Sequence, residues 1–155
     1  GTLNFTIKGI HIGMKVIWNY TPPTNGGDTF TSIKKGSKAT LKIVQNKENG
    51  FIKELYIQKV QNTENATFKT QLEKTIKELQ DTYPFLSIKE RNNGLYLIDI
   101  PQACRSGHEA HFSKVAKTFL HYLQYKDMPE WENENTISKY YITTTAVEMA
   151  KSRDK

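Results

Sequence analysis

Among 155 residues there is a single cysteine, Cys104, so no internal disulfide is available and the fold does not depend on oxidation. No apolar run approaches the roughly 20 residues that a membrane span requires. No positively charged leader with a hydrophobic centre stands ahead of the first strand-like segment. These absences predict a soluble chain with no membrane partner and leave its compartment open. Glycine and proline are scarce, 9 and 5 residues, and no repeat or low-complexity segment interrupts the pattern, which is that of one ordinary globular domain, residues 1–155. A long run of one charge is also missing. The net charge is +6, but the lysines are scattered along strands and helices, which suits a solvated surface and gives no basic stripe for nucleic acid.

What is present first is strand periodicity. Leu3, Phe5 and Ile7 alternate with Asn4, Thr6 and Lys8, and Met14, Val16, Trp18 and Tyr20 with Lys15, Ile17 and Asn19, so a hairpin is predicted around a turn at residues 9–13. The alternation begins directly after Gly1, as a cut into a longer protein behind a tag remnant would; the chain is expected to be a fragment. Residues 21–28, rich in Pro and Gly, form a loop. A strand near residues 29–34 follows, then a hairpin of residues 39–45 and 51–60 over the polar turn 46–50. From Thr63 the period lengthens. Phe68, Leu72, Ile76, Leu79 and Tyr83 share one helix face, and Pro84 closes the helix. A hairpin from Leu86 to Ile100 turns at residues 91–94. Two further helices are predicted, one capped by Ser106 with Phe112, Val115, Phe119 and Leu123 inward, the other capped by Thr136 with Ile137, Tyr140, Tyr141, Thr144 and Val147 inward.

The fold class is therefore α+β, with an open, largely antiparallel sheet of about seven strands and three helices on one face. Several strands, such as Leu55 to Ile57 and Leu95 to Ile100, look apolar on both sides. The sheet's second face is accordingly expected to meet a twin subunit or another domain.

Chemistry-bearing residues concentrate in Arg105-Ser106-Gly107-His108-Glu109-Ala110-His111. Two histidines on one helix superficially resemble the zinc-protease motif, but their spacing is three rather than four. Zinc also needs a third protein ligand, for which only His11, His121 and distant carboxylates remain, so no metal site is assigned. Residues 105–108 could alternatively cradle an anion on free backbone N–H groups, although helix capping explains Ser106 and Gly107 as simply. Cys104 lacks a base and an orienting group, and is expected to be a buried thiol rather than a nucleophile. Lys34-Lys35-Gly36-Ser37 lacks the spacing of a phosphate loop. Trp18 could stack on a sugar ring or sit in a core or interface. Tyr140, Tyr141 and the threonines 143–145 read as a packed helix face whose hydroxyls bond back to the helix.

Taken in order, these segments resemble a known family. The strand with Trp18, followed by the stretch Asp28 to Ile43, is similar to the strand, Gly-Thr-x-Gly-Thr-Leu, strand passage in the C-terminal domain of Gfo/Idh/MocA oxidoreductases, with Ala39 in place of the usual second glycine. Gly107 to Phe112, Phe119-Leu120, Met128-Pro129 and residues 137–150 resemble that domain's final helices and their proline-containing link. The wording Trp18-Asn19-Tyr20, Gly107 to Phe112 and Lys139-Tyr140-Tyr141-x-Thr143-Thr144 is that of a bacterial subgroup. The resemblance implies a C-terminal substrate-side and oligomerisation domain in cytoplasm or periplasm. Its partners would be an N-terminal Rossmann domain that binds NAD(P), a small sugar-like substrate and a twin subunit met through the sheet face. No cofactor is expected in the fragment itself. The family's catalytic Glu-Lys-Pro lysine and Asp-x-x-x-His element have no counterpart in residues 1–155, so no catalytic residue is assigned. Trp18, Arg105, His108 and His111 are the candidate substrate-binding residues. The helix from Thr63 to Tyr83 is an insertion to the family pattern. The alternatives of other classes are a stand-alone carbohydrate- or protein-binding module and a small metal-dependent hydrolase.

Overall fold

Alternation of apolar and polar residues sets the first element. In the computed structural model, which describes residues 1–61, 64–92 and 94–153, β1 (Thr2–Ile7) pairs antiparallel with β2 (Ile10–Lys15). The turn is the two-residue Lys8-Gly9, both at positive φ (48° and 78°), the backbone that matches the right-handed twist of a tight hairpin. The turn thus falls earlier than residues 9–13, and β2 stops well short of Tyr20. β1 offers β2 ladder partners only as far as Lys15, beyond which Gly1 and Val16 exchange two backbone hydrogen bonds of 2.9 Å.

The remaining strands, β3 (Phe30–Lys35), β4 (Ala39–Gln45), β5 (Glu54–Lys59), β6 (Ser87–Asn92) and β7 (Leu95–Asp99), form an antiparallel sheet in the order β3-β4-β5-β7-β6. With the hairpin this makes, among the described residues, seven strands in two sheets and three α-helices, an α+β fold. β5 starts at Glu54, later than residue 51, because a capped turn occupies the connection. Asn46 and Asn49 exchange side-chain to backbone bonds of 2.8 and 3.2 Å, and Gly50 closes the turn at φ 64°.

Helix α1 (Asn65–Leu79) lies on one face of this sheet. Its predicted start at Thr63 falls outside the described residues, as does Asn93 in the turn before β7. Leu72 and Ile76 point down onto Tyr96 and Ile98, with Phe68, Leu55, Ile57 and Ile88 packed around them. Pairing registers explain the choice of side. Ile43, Leu55, Ile98 and Ile88 form one row across four strands, and Leu41, Ile57 and Tyr96 the next. Leu79 and Tyr83, predicted on the same helix stripe, are 42% and 48% exposed; the helix ends at Leu79, before its stripe reaches Tyr83. The opposite face carries the row Ile33, Lys42, Tyr56, Leu97 and Lys89. Leu97 at its centre is 5% exposed and Ile33 at its edge 52%. Charged side chains thus interleave with the apolar ones on the face that sequence alone had suggested was apolar.

Helices α2 (His108–Tyr125) and α3 (Glu130–Arg153) depart most from expectation. The N-cap of α2 is Gly107, not Ser106. The α3 helix starts six residues before Thr136. Pro129 with its preset φ, and Glu130 and Glu132 in the first turn facing the positive helix end, favour the earlier start. The residues predicted inward on both helices are exposed: Phe112 64%, Leu123 65%, Ile137 68% and Tyr141 70%. Half-buried instead are Thr118 and Tyr122 on α2, and Ile142, Thr145 and Ala146 on α3. Periodicity locates an apolar face but not what covers it. The threonines behave as read, Thr143 Oγ donating to the Lys139 carbonyl at 3.0 Å and Thr144 Oγ to Tyr140 at 2.7 Å.

The chain clusters into two units, one of residues 1–19 with 107–155 and the other of residues 20–106. The first holds the hairpin, α2 and α3, and none of its described residues is fully buried. The second holds the five-stranded sheet, α1 and every buried core residue.

Candidate functional site

Pro101 lacks a donor for the ladder and ends β7, after which a single turn at Gln102–Cys104 redirects the chain. Cys104 is exposed on that turn, not buried as expected for a lone thiol; the surface position follows from the turn itself. Arg105 then extends (φ −92°), and its guanidinium is held by two carbonyls. Nε donates to Ile100 O at 3.1 Å and an η nitrogen to Lys53 O at 2.6 Å. These bonds tie the exit of β7 to the entrance of β5, both within the sheet unit. A charged donor satisfying two main-chain acceptors is a structural clasp, although a planar guanidinium has further donors for an anion.

Gly107 (φ −78°, ψ 177°) opens α2, and His111 N–H closes its first turn on Gly107 O at 3.1 Å. His108 lies against Phe112, ring centres 4.7 Å apart and 52° inclined. Glu109 sits in the same turn, where the helix dipole favours a carboxylate. His108 and His111 are thus brought to one helix start, both on the exposed surface. Among the described residues no group of three His, Cys, Asp or Glu side chains converges as metal ligands would. Trp18, in the same unit, follows β2 outside any strand and is 88% exposed, so it belongs to no core. Its indole face is open to a flat apolar ligand.

Two polar pairs had no sequence signal beyond register. Thr6 and His11 face each other across the hairpin, and the hydroxyl and His11 Nδ1 share a 2.9 Å hydrogen bond. Only the two-residue turn makes them opposite. His121 Nε2 meets Asp127 Oδ2 at 2.8 Å beyond the end of α2, where Lys126 adopts the left-handed cap conformation (φ 55°). Among the described residues neither pair belongs to a wider group of His, Cys, Asp or Glu side chains.

Three groups on the five-stranded sheet and α1 have shifted titrations. The Tyr56 phenol is pushed above its usual range by its 2.6 Å hydrogen bond to the Glu54 carboxylate, then by burial, with Arg91 pulling the other way. Tyr96 is raised chiefly by burial, with Glu90 adding to it. Lys69 is raised by its 3.1 Å ion pair with Glu90. These are structural contacts of strands and α1.

The strand order bears on nucleotide cofactors. Every pairing is antiparallel, whereas a dinucleotide site needs a Gly-rich turn between a parallel strand and its crossover helix. The three glycines at positive φ, Gly9, Gly50 and Gly94, stand in or beside turns between strands. The connection from β5 to α1, residues 60–64, holds no glycine.

Residues 1–151 match the family described as "Putative oxidoreductase C terminal domain". The chain belongs to this family. The crystal structure of a putative oxidoreductase from Parabacteroides merdae ATCC 43184 is 40% identical with a TM-score of 0.93, and the match covers 97% of this chain and 34% of that one. The chain therefore spans about a third of the length of that relative. No curated protein matches. Among the described residues no helix is long and apolar enough to cross a membrane.

Proposed function

We propose that this oxidoreductase C-terminal domain is the substrate-side and oligomerisation domain of an NAD(P)-dependent enzyme of Gfo/Idh/MocA type acting on a sugar or polyol. The observation that carries the reading is the family match over nearly the whole chain, in a segment equal to only a third of a solved relative. Adjacent strands of the described sheets all pair antiparallel, which suits a division of labour in which an N-terminal Rossmann domain holds the nicotinamide and supplies the catalytic groups. This chain alone is inactive in that scheme. Its contribution is to shape the substrate pocket, with Trp18, His108 and His111 as exposed candidates for a hydroxyl-rich ligand and Arg105 as a residue that fixes the backbone beside them in sequence. The sheet face bearing Ile33, Tyr56 and Leu97 is the surface for a twin subunit.

The test is a pair of titrations. The full-length polypeptide should bind NAD or NADP and reduce it in the presence of one member of a sugar and polyol panel, followed by nicotinamide absorbance, whereas the 155-residue chain should bind neither. A full-length protein that binds no nicotinamide would remove the reading.

A further inference from the structure

Phe112, Val115, Phe119 and Leu123 recur on α2 at steps of three, four and four, so they line one face of the helix. Lys114, Lys117 and His121 occupy the other side. Such a helix is built to cover something apolar, yet these four side chains are 64%, 67%, 62% and 65% exposed. A continuous stripe of bare aromatic and aliphatic side chains on a folded protein marks an interaction surface. The unit that contains α2 has no fully buried described residue to anchor it, so the stripe is also where that unit has most to gain from a partner.

We propose that the α2 stripe seats the N-terminal part of the full-length polypeptide, as an intramolecular domain interface. This rests on the reading of the chain as one domain of a longer oxidoreductase. The matched relative is long enough to supply the occupant, because 34% of it corresponds to this chain and the remainder lies outside. A covalently joined domain is present at one copy per stripe and at high effective concentration, so it outcompetes a second copy for an apolar face.

Hydroxyl-radical footprinting of the full-length protein, at concentrations where sedimentation shows a monomer, reads the stripe directly. Phe112 and Phe119 should react at least about tenfold more slowly than in the same protein unfolded in denaturant, given the protection that burial confers. Reaction near the unfolded rate would overturn the proposal, and so would protection seen only on self-association, which identifies a second copy as the occupant. Equal protection in the separately made 155-residue chain would also overturn it, since the chain would then cover the stripe itself. A Phe119→Asp variant of the full-length protein should lose that protection at Phe112, while Lys117→Asp on the polar side should not. Nicotinamide binding is measured in parallel. Its absence with the stripe protected counts against the oxidoreductase reading alone, and its presence with the stripe reactive counts against the docking surface alone.

Discussion

Replacing Leu72 by alanine tests the core assignment where it is most concentrated. Leu72 is 8% exposed and clusters with Ile76, Tyr96 and Ile98, the small group of buried side chains between α1 and the sheet. Leucine to alanine removes three carbons, worth about 0.8 kcal/mol each as buried methylenes, or roughly 2.4 kcal/mol before any cavity is counted. Measured losses at such sites run from about 2 to 5 kcal/mol. Leu55, Ile57 and Phe68 around the cluster are only half-buried and can relax inward, so a loss of about 3 kcal/mol is expected, on the order of a hundredfold in the folding constant. The assay is urea unfolding followed by far-UV circular dichroism and tyrosine signals. Tryptophan emission would miss the event, because Trp18 and Trp131 both belong to the other unit. The midpoint should fall with an unchanged slope. Leu123→Ala, the same chemistry on a residue 65% exposed, should cost under about 0.5 kcal/mol in the 155-residue chain. A loss at Leu72 below about 1 kcal/mol, or equal losses at the two leucines, would refute the packing described.

Three further outcomes are expected. Tyr56, Tyr96 and Lys69 all hold their protons more tightly when folded, so the native state binds more protons than the unfolded chain at high pH; the stability is fully present below pH 10, near the unperturbed tyrosine value of 10.0, and is lost as pH rises through the folded values. Urea midpoints that stay level or rise between about pH 9 and 11 would contradict this. Gly94 and Gly9 share φ 78°, but a Cβ at Gly94 would stand 3.0 Å from Lys59 Cβ and Cε while one at Gly9 meets open space. Gly94→Ala should therefore cost about 1–3 kcal/mol and Gly9→Ala about 1, and equal thermal shifts would show that the contact with Lys59 gives way freely. Arg105→Ala, which frees the carbonyls of Ile100 and Lys53, should cost about 1–2 kcal/mol in the same urea assay, with Arg105→Lys recovering only part of it. Full recovery by lysine would mean that charge rather than the forked geometry matters there.

The sequence made the sheet and α1 legible because their signals are local and their partners lie within the same stretch. Phe68, Leu72 and Ile76 recur at four-residue steps, and the residues that receive them, Leu55 and Ile57 in β5 and Tyr96 and Ile98 in β7, stand two apart. Legibility failed where the deciding partner is not encoded nearby. Strand alternation runs on through Val16 and Trp18, but the ladder spans only Ile10 to Lys15 of that stretch. Phe112 to Leu123 form a true helix stripe, and periodicity cannot say whether a stripe is already covered. Thr136 is a good capping residue in isolation, yet Pro129 with two acidic residues in the first turn begins the helix sooner. In the candidate site the pairing of His108 with Phe112 follows from helical spacing. The clasp of Arg105 on Lys53 joins residues 52 apart and had no local sign.

The hairpin and the last two helices share a unit although residues 20–106 separate them in the chain. On a ribosome, the sheet unit is complete once Ser106 has emerged, since its strands find partners inside the segment already made. The hairpin is made before the sheet unit and finished after it. At about 5–20 residues per second, α2 and α3 follow it by several seconds or more, and a two-stranded hairpin has little stability by itself in that interval. During synthesis, then, the half-buried face of Leu3, Phe5 and Ile12 waits for its helices and is a surface that a ribosome-associated chaperone would meet.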